Sequence, residues 1–83
     1  MKVHLRYFAS LRETLGLGSE TLETSAATLG ALRDELIARG GGYAEALGRA
    51  RVVRAAVNQT MSDESAGLSD GAEVGFFPPV TGG

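Results

Sequence analysis

The 83-residue sequence contains no cysteine and a single histidine, His4. The lack of cysteine excludes disulfides, cysteine-ligated zinc and thiol catalysis together. His4 has no nucleophile pattern and no cluster of metal ligands around it, so a catalytic or metal-binding role is not predicted for this imidazole. We therefore expect a chain without a metal site and without catalytic side chains of its own.

Long apolar runs and basic stretches are also missing. No apolar segment approaches the roughly 20 residues of a membrane-spanning helix, and the first residues lack the apolar centre of a signal peptide. The net charge is −2, without the basic stripe that is typical of nucleic-acid binders. We expect one domain with a modest core, located in the cytoplasm, which binds neither membranes nor nucleic acids.

Hydrophobic periodicity predicts alternating strands and helices. Period-two alternation indicates strands, and apolar residues three and four positions apart indicate the main helix. Thr28 is the predicted N-cap of that helix, because its hydroxyl can accept from a first-turn amide. The predicted elements are a strand over 2–9, a short helix, an edge strand over 19–24, the main helix over 28–39, one further helical turn over 43–47, a strand over 49–57, a turn at 58–59, a brief strand at 60–61, and a last strand over 73–77.

The short helix and the glycine run carry more specific expectations. Ser10 and Glu13 have the spacing of a capping box, in which the hydroxyl and the carboxylate each accept from the other's backbone amide. Gly16 is placed to end this helix in the left-handed conformation. Gly40 is expected to stop the main helix, and the run 40–42 is expected to be a loop.

Two groups of charged residues are interpreted as solvent-exposed. Residues 33–35 lie mostly off the apolar stripe of the main helix, which predicts a solvated face. Arg49, Arg51 and Arg54 could form an anion site or, as we expect, a solvated rim. As a rim they could still meet an acidic partner surface. Such rim charges affect association rate and specificity more than affinity.

One long helix against a mixed sheet of four to five strands predicts a two-layer α+β fold. If the first and last strands pair in parallel, Phe8 and Phe77 approach each other on the face away from the helix. With Met61 nearby, they would form an exposed apolar patch, and such a patch on a globular domain is typical of a partner interface.

The last six residues, Pro78, Pro79, Val80, Thr81, Gly82 and Gly83, predict a tail that extends from a domain over 1–77. The prolines stiffen its start, and the glycines remove side-chain bulk so that its end can enter a narrow channel. From 75 to 83 the carboxylate of Gly83 is the sole ionisable group. We interpret residues 78–83 as a flexible, slim arm that inserts into a partner and presents that carboxylate.

Several motifs resemble the small subunits of molybdopterin synthases, a family of ubiquitin-like sulfur carriers with the β-grasp fold. They are Ala-Val-Asn-Gln at 56–59, Leu-Ser-Asp-Gly-Ala-Glu-Val at 68–74 and Phe-Phe-Pro-Pro-Val-Thr-Gly-Gly at 76–83, with Tyr-Phe-Ala at 7–9 and Leu-Arg-Glu at 11–13. The resemblance covers essentially the whole chain and is most specific in the final third. Gly75 stands where alanine is more often expected.

The resemblance implies a complete reaction sequence. A ubiquitin-activating-like adenylyltransferase would use ATP to adenylate the Gly83 carboxylate, and a sulfur donor protein would convert the acyl-adenylate to a thiocarboxylate. The tail would then insert into the large synthase subunit, in a heterotetramer, and pass sulfur to cyclic pyranopterin monophosphate in molybdenum cofactor biosynthesis. The chain itself would bind no cofactor.

Three other interpretations stay open at this point. The chain could carry sulfur for thiamine, another metabolite or transfer RNA, with the same chemistry at its tail. It could be a ubiquitin-like modifier that is joined through Gly83 to lysines of other proteins. It could also be an interaction module whose tail has no chemistry.

Overall fold

A five-stranded mixed sheet runs through the computed structural model, which describes residues 1–79. The first and last strands pair in parallel at its centre, and the other neighbouring strands are antiparallel. The elements are β1 (Lys2–Tyr7), α1 (Ala9–Leu15), β2 (Ser19–Glu23), α2 (Leu29–Ile37), α3 (Gly41–Leu47), β3 (Arg54–Val57), β4 (Thr60–Ser62) and β5 (Glu73–Phe77), and the strand order is β2-β1-β5-β3-β4. This β-grasp arrangement confirms the predicted α+β fold class.

The helices cover one face of the sheet, and the core lies between the two layers. Along β1, Val3, Leu5 and Tyr7 are buried while the side chains between them are exposed, as the alternation predicts. On α2, Leu32 and Leu36 are fully buried. Burial of such side chains contributes about 1.5–3 kcal/mol each. The other face of the sheet, which we call the open face, carries no helix among the described residues.

The short helix begins differently from the prediction. The predicted capping box is wrong, because α1 begins at Ala9 and its N-cap is Phe8, which makes no side-chain cap hydrogen bond. The amide of Phe8 donates to the Phe76 carbonyl at 3.1 Å, so the pairing of β1 with β5 continues until the residue before the helix. Ser10 is thereby placed inside the helix. Gly16 ends it in the left-handed conformation, φ 77°, as predicted.

The main helix begins as predicted but ends earlier. The Thr28 hydroxyl accepts from the amide of Ala31 at 3.2 Å, which confirms it as the N-cap. The C-cap is Ala38, so the prediction that Gly40 stops this helix is wrong; Gly40, with φ 75°, is the N-cap of a further helix. The predicted loop over 40–42 is therefore wrong beyond its first residue. Packing of the buried Leu47 on the core outweighs the low helix propensity of glycine.

Arg33 corrects the prediction of a solvated charged face on α2, because this residue is only 7% exposed. Its Nε donates to the Leu47 carbonyl at 2.8 Å, and Nη2 donates to the carbonyls of Gly48 and Arg51 at 3.0 Å. Nη1 forms an ion pair with Glu64 at 2.8 Å. The guanidinium thus fastens α2 to the segment that enters β3 and to the loop that follows β4.

The hairpin between β3 and β4 turns at Asn58 and Gln59, as predicted. Both residues have positive φ, 50° and 68°, which is the conformation of the two-residue turns that match strand twist. The Asn58 side chain accepts from the amide of Glu73 at 2.9 Å and so ties the turn to the start of β5. None of the helices in the described part of the chain is long and apolar enough to span a membrane.

Candidate functional site

The central strand β5 delivers the tail to one end of the sheet. It is bordered by β1 on one side and β3 on the other, and its regular structure ends at Phe77. Pro78 and Pro79 follow outside any helix or strand and are half-buried. Of the predicted tail residues, Val80, Thr81, Gly82 and Gly83 lie outside the described residues, so their roles stay predictions.

Phe8 and Phe77 meet where the tail leaves the sheet. Their ring centroids are 6.3 Å apart at an interplanar angle of 80°, an edge-to-face contact. Phe8 remains 40% exposed. The approach of these two rings was predicted from parallel pairing of the first and last strands, and both the pairing and the contact are confirmed. We call this pair the aromatic anchor.

Gly75 is what allows Phe8 to lie so close to the sheet. A Cβ at this position would stand 3.1 Å from Cε2 of the Phe8 ring, closer than side chains normally pack. Gly75 and Ala56 are register partners, and because neither has a large side chain, the centre of the open face forms a depression. A cavity of about 460 Å³ lies there, and it is lined by Arg6, Phe8, Ala56, Gln59, Glu73, Gly75 and Phe77.

Met61 lies on the open face at some distance from the aromatic anchor. It pairs with Ala56 across the β3–β4 ladder, which places β3 between Met61 and β5. Its side chain is 52% exposed. Gln59, and not Met61, lines the cavity beside Phe8 and Phe77; Met61 lines a second cavity of about 420 Å³ at the β4 edge. A shared role of Phe8, Phe77 and Met61 in a partner interface stays a prediction.

The layer beneath the aromatic anchor is held by a polar cluster that the sequence did not indicate. Tyr7 stacks on Phe76, with centroids 6.2 Å apart, and its hydroxyl donates to Glu20 at 2.9 Å. The Tyr43 hydroxyl donates to the same carboxylate oxygen at 2.7 Å, and Arg39 pairs with the other at 3.2 Å. Glu20 therefore joins β2 to β1, to α3 and to the segment after α2.

Hydrogen bonding in this cluster changes the pKa values of its members. Burial alone would raise the pKa of the Glu20 carboxyl, but hydrogen bonds from Tyr43, Tyr7 and Arg39 hold that pKa below its ordinary value. Burial, together with the hydrogen bond to Glu20, raises the pKa of the Tyr7 hydroxyl. Glu20 is thus a charged acceptor at neutral pH, and Tyr7 stays a donor.

The three arginines of residues 49–54 have different surroundings. Arg49 pairs with Asp34 at 2.7 Å and also donates to Glu64. Arg51 and Arg54 are exposed. The structure therefore commits Arg49 to carboxylates of this chain, on the helix-covered side, and leaves Arg54 on the open face. A joint anion site of the three is not what the structure shows.

The described residues offer few groups for chemistry. Across residues 1–79, no three His, Cys, Asp or Glu side chains lie together as a possible metal site. His4 shares a hydrogen bond of 3.2 Å with the Thr21 hydroxyl. Among residues 1–79, the arrangement presents the exposed ring of Phe8 and its contact with Phe77 at the point where β5 ends and Pro78 begins.

Comparison with protein families gives a match to the ThiS family over residues 5–83. Two curated proteins match 98% of the chain and 99% of their own length. Both are named molybdopterin synthase sulfur carrier subunit: the protein of Escherichia coli K12 is 40% identical and that of Haemophilus influenzae is 37% identical.

Solved structures agree with this match. Subunit 1 in a complex of subunits 1 and 2 of molybdopterin-converting factor from Helicobacter pylori is 31% identical, with full coverage of both chains and a TM-score of 0.71. A putative molybdopterin converting factor subunit 1 from Pyrococcus furiosus is also 31% identical, covers 96% of this chain and 99% of its own, and has a TM-score of 0.78. Small archaeal modifier protein 1 of Haloferax volcanii, at 21% identity, 95% and 98% coverage and a TM-score of 0.75, shares the fold.

Proposed function

Because the chain belongs to the ThiS family, we propose that it is the sulfur carrier subunit of a molybdopterin synthase. The observation that carries this proposal is the 37–40% identity, over nearly the whole chain, to two proteins of that name. The fold alone would not be enough, since a protein modifier shares it.

The chemistry we propose takes place at the carboxylate of Gly83. A carboxylate is a poor electrophile. In an ATP-dependent adenylyltransferase it attacks the α-phosphate of ATP and releases pyrophosphate, and the resulting acyl-adenylate has AMP as its leaving group. A sulfur donor protein then delivers sulfur at the sulfide oxidation level, which attacks the acyl carbon, displaces AMP and leaves a thiocarboxylate on Gly83. ATP is consumed by the activating enzyme, and the carrier binds no cofactor. We expect these steps in the cytoplasm.

The partner that accepts the sulfur is, in this proposal, the large synthase subunit. The Helicobacter pylori complex supports a partner of this kind. The body of the carrier would dock through the open face near Phe8 and Phe77, while the tail enters the large subunit and passes sulfur to cyclic pyranopterin monophosphate. Residues 78–83 span at most about 20 Å when extended, which is enough to reach a buried pocket from a docked body.

The stiff start of the tail supports insertion. Pro78 and Pro79 restrict the backbone before binding, so less conformational entropy is lost when the tail is ordered in a channel. The described residues contain no metal cluster, and in this mechanism the carrier needs none, because the activating enzyme and the large subunit supply the catalytic groups.

Intact mass spectrometry tests the proposal. The chain is incubated with a ubiquitin-activating-like enzyme, ATP and a sulfur donor, and we expect a mass increase equal to the exchange of one oxygen for sulfur, localised to Gly83. A Gly82→Leu variant, which adds bulk where the tail must be slim, should fold normally and stay unmodified.

Two outcomes would contradict the proposal. No mass change with an activating enzyme that is competent on a known carrier would reduce the tail to a docking element. Conjugates of the chain to lysines of other proteins, without any thiocarboxylate, would instead identify a protein modifier.

A further inference from the structure

Five of the seven arginines of this chain fall into two groups. The other two, Arg12 on α1 and Arg51 before β3, are also exposed but belong to no strand of the sheet. Arg33, Arg39 and Arg49 form ion pairs with carboxylates of the chain itself. Arg6 and Arg54 are exposed, and among residues 1–79 neither guanidinium has an ion-pair partner. The second group therefore keeps its charge available to another molecule.

Arg6 and Arg54 lie on opposite sides of the aromatic anchor. Arg6 is the register partner of Gly75 on β1, and its guanidinium lies 5.3 Å from the centroid of the Phe8 ring. Arg54 is the register partner of Phe77 on β3, so both side chains leave the same face of the sheet. Since β5 lies between β1 and β3, the root of the tail has one arginine on each side.

This end of the open face is positive although the whole chain has a net charge of −2. The acidic residue on the cavity wall is Glu73, which stands at the other end of β5 and is paired in register with His4. The apolar surface of Phe8 and Phe77 is thus bordered by two arginines where β5 ends. Arg54 also lines the cavity at the β4 edge with Asp63 and Glu64, but among residues 1–79 neither carboxylate forms an ion pair with it.

A guanidinium stacked on an aromatic ring still has its N–H groups free. It can donate two parallel hydrogen bonds to one carboxylate, a geometry that a lysine ammonium does not match. Stacking on Phe8 also limits the rotamers of Arg6 before binding, so less side-chain entropy is lost when a carboxylate arrives. The site is suited to an acidic protein surface around an apolar contact.

We propose that the large synthase subunit presents acidic side chains opposite Arg6 and Arg54, beside the opening that receives the tail. This inference rests on the proposed function and adds what the docking surface of the partner must contain. The two ion pairs fix the orientation of the carrier, so that the tail points into the opening, and they select against large subunits that lack those carboxylates.

A second copy of this chain fits the same surface poorly. In a two-fold contact through the open face, each copy would present the same patch to the other. Arginines that lie near the two-fold axis would then face each other, which is unfavourable across a contact. Charge complementarity therefore favours an acidic partner over self-association.

The test measures association of the carrier with the large subunit of the same organism, by stopped-flow fluorescence at low and high salt. We expect the double variant Arg6→Glu/Arg54→Glu to associate at least about tenfold more slowly at low salt, with a weaker dependence on salt than the unaltered chain. The neutral variant Arg6→Gln/Arg54→Gln should lie in between, and it serves if the charge reversal disturbs folding.

Lys2→Glu is the matched control. Lys2 is exposed on the same strand and the same face, at the end remote from the tail, and each single reversal changes the net charge equally. Arg6→Glu alone should slow association several-fold more than Lys2→Glu does. Equal effects of the two would show that only net charge matters, and the inference would be wrong.

Different outcomes of this experiment distinguish a failure of the inference from a failure of the proposed function. If the unaltered chain does not bind the large subunit, both fail. If it binds and the arginine variants bind equally well, only the inference fails. A dimer of the unaltered chain that Arg6→Gln/Arg54→Gln strengthens would assign the open face to a second copy and also overturn the inference.

Discussion

The arginines on the two faces of the sheet differ in burial and in hydrogen bonding. On the helix-covered face, Arg33 is buried, and its Nε, Nη1 and Nη2 all donate hydrogen bonds to backbone carbonyls or to a carboxylate. On the open face, Arg6 and Arg54 are exposed beside an exposed aromatic ring. In residues 1–79, no buried side-chain nitrogen or oxygen lacks a hydrogen-bond partner. The buried polar groups of the covered face are hydrogen-bonded within the chain, whereas the arginines of the open face can still bind a partner.

This difference separates stability from recognition. Changes on the covered face should lower the free energy of unfolding and affect binding only through loss of folded protein. Changes on the open face should weaken binding and leave unfolding nearly unaltered. A chain this short has little stability in reserve, so the separation allows the open face to vary without loss of the fold.

The largest effect is expected at Arg33. Arg33→Ala leaves the Leu47 carbonyl buried without a donor and Glu64 without one of its two guanidinium partners, so the free energy of unfolding should fall by about 3 kcal/mol. Urea unfolding measures it. Arg6→Ala on the open face is the control and should change stability by no more than about 0.5 kcal/mol. Equal losses in the two variants would remove the distinction between the faces.

The second largest effect should appear in binding and not in stability. Phe8→Ala removes half of the aromatic anchor and the ring on which Arg6 stacks, and truncation of such an anchor costs about 2 kcal/mol, or roughly a thirtyfold rise in the Kd for the large subunit. Calorimetric titration measures it. An unaltered Kd, in a variant whose urea transition is also unaltered, would show that this ring is not a contact.

A third prediction concerns pH and the Glu20 cluster. The pKa of Glu20 in the folded chain lies below its ordinary value of 4.5, so its stabilising contribution is complete well above pH 4.5 and is lost as the pH falls through the lower folded value. Glu20→Gln should cost about 1–2 kcal/mol at pH 7 and much less at pH 3. Urea unfolding at both pH values measures this.

The control for that experiment is Glu23→Gln. Glu23 lies on the same strand with an exposed side chain, so its replacement should change stability by less than about 0.5 kcal/mol at either pH. A cost of Glu20→Gln that does not depend on pH would mean that shape, and not charge, holds Tyr7 and Tyr43.

The smallest effect is expected at Gly75. In Gly75→Ala the new Cβ meets Phe8 at 3.1 Å, so the ring must shift by a few tenths of an ångström and the Kd for the large subunit should rise roughly twofold, about 0.5 kcal/mol. Gly67→Ala is the control, since its Cβ would meet nothing closer than the Ala27 carbonyl at 4.0 Å. Tighter binding by Gly75→Ala would show that Phe8 is not held in its binding position by this contact.

Much of the fold could be predicted because the signals were local. Period-two alternation identified β1 and β5, and the Phe8–Phe77 contact followed from their parallel pairing. Thr28 was predicted as an N-cap from its place before an apolar stripe, and the turn at Asn58 from the tolerance of asparagine for positive φ. The strands, the cap and the turn are each decided by a few neighbouring residues, whereas the Phe8–Phe77 contact also required the parallel pairing of β1 with β5.

The errors arose where distant residues decide the structure. Ser10 has a capping-box spacing, but the ladder between β1 and β5 extends to Phe8 and moves the helix start. The partners of Arg33 lie 14 to 31 positions away in sequence. A signal was nevertheless present, because Arg33 is four residues after Leu29 and three before Leu36, and thus lies on the apolar stripe.

The Glu20 cluster could not be found from local patterns. Its acceptor lies 13 positions from Tyr7 and 23 from Tyr43, and α3, which holds Tyr43, begins with glycines that local propensity assigns to a loop. Likewise, whether an arginine forms an ion pair within the chain depends on which residues the tertiary structure places beside it. Sequence patterns identify the elements, and tertiary contacts decide how each charge is used.

The central position of β5 has a mechanical consequence. A pulling force applied at Pro78 acts along β5, whose backbone is hydrogen-bonded on one side to β1 and on the other to β3. These bonds run across the direction of the force, so they are loaded in shear and must fail together. Had the tail extended from the short edge strand β4, which in the described part of the chain is paired only with β3, fewer bonds would have shared the load. A protein that grips the tail can therefore draw the whole body toward it, or release the tail again, without unravelling the domain.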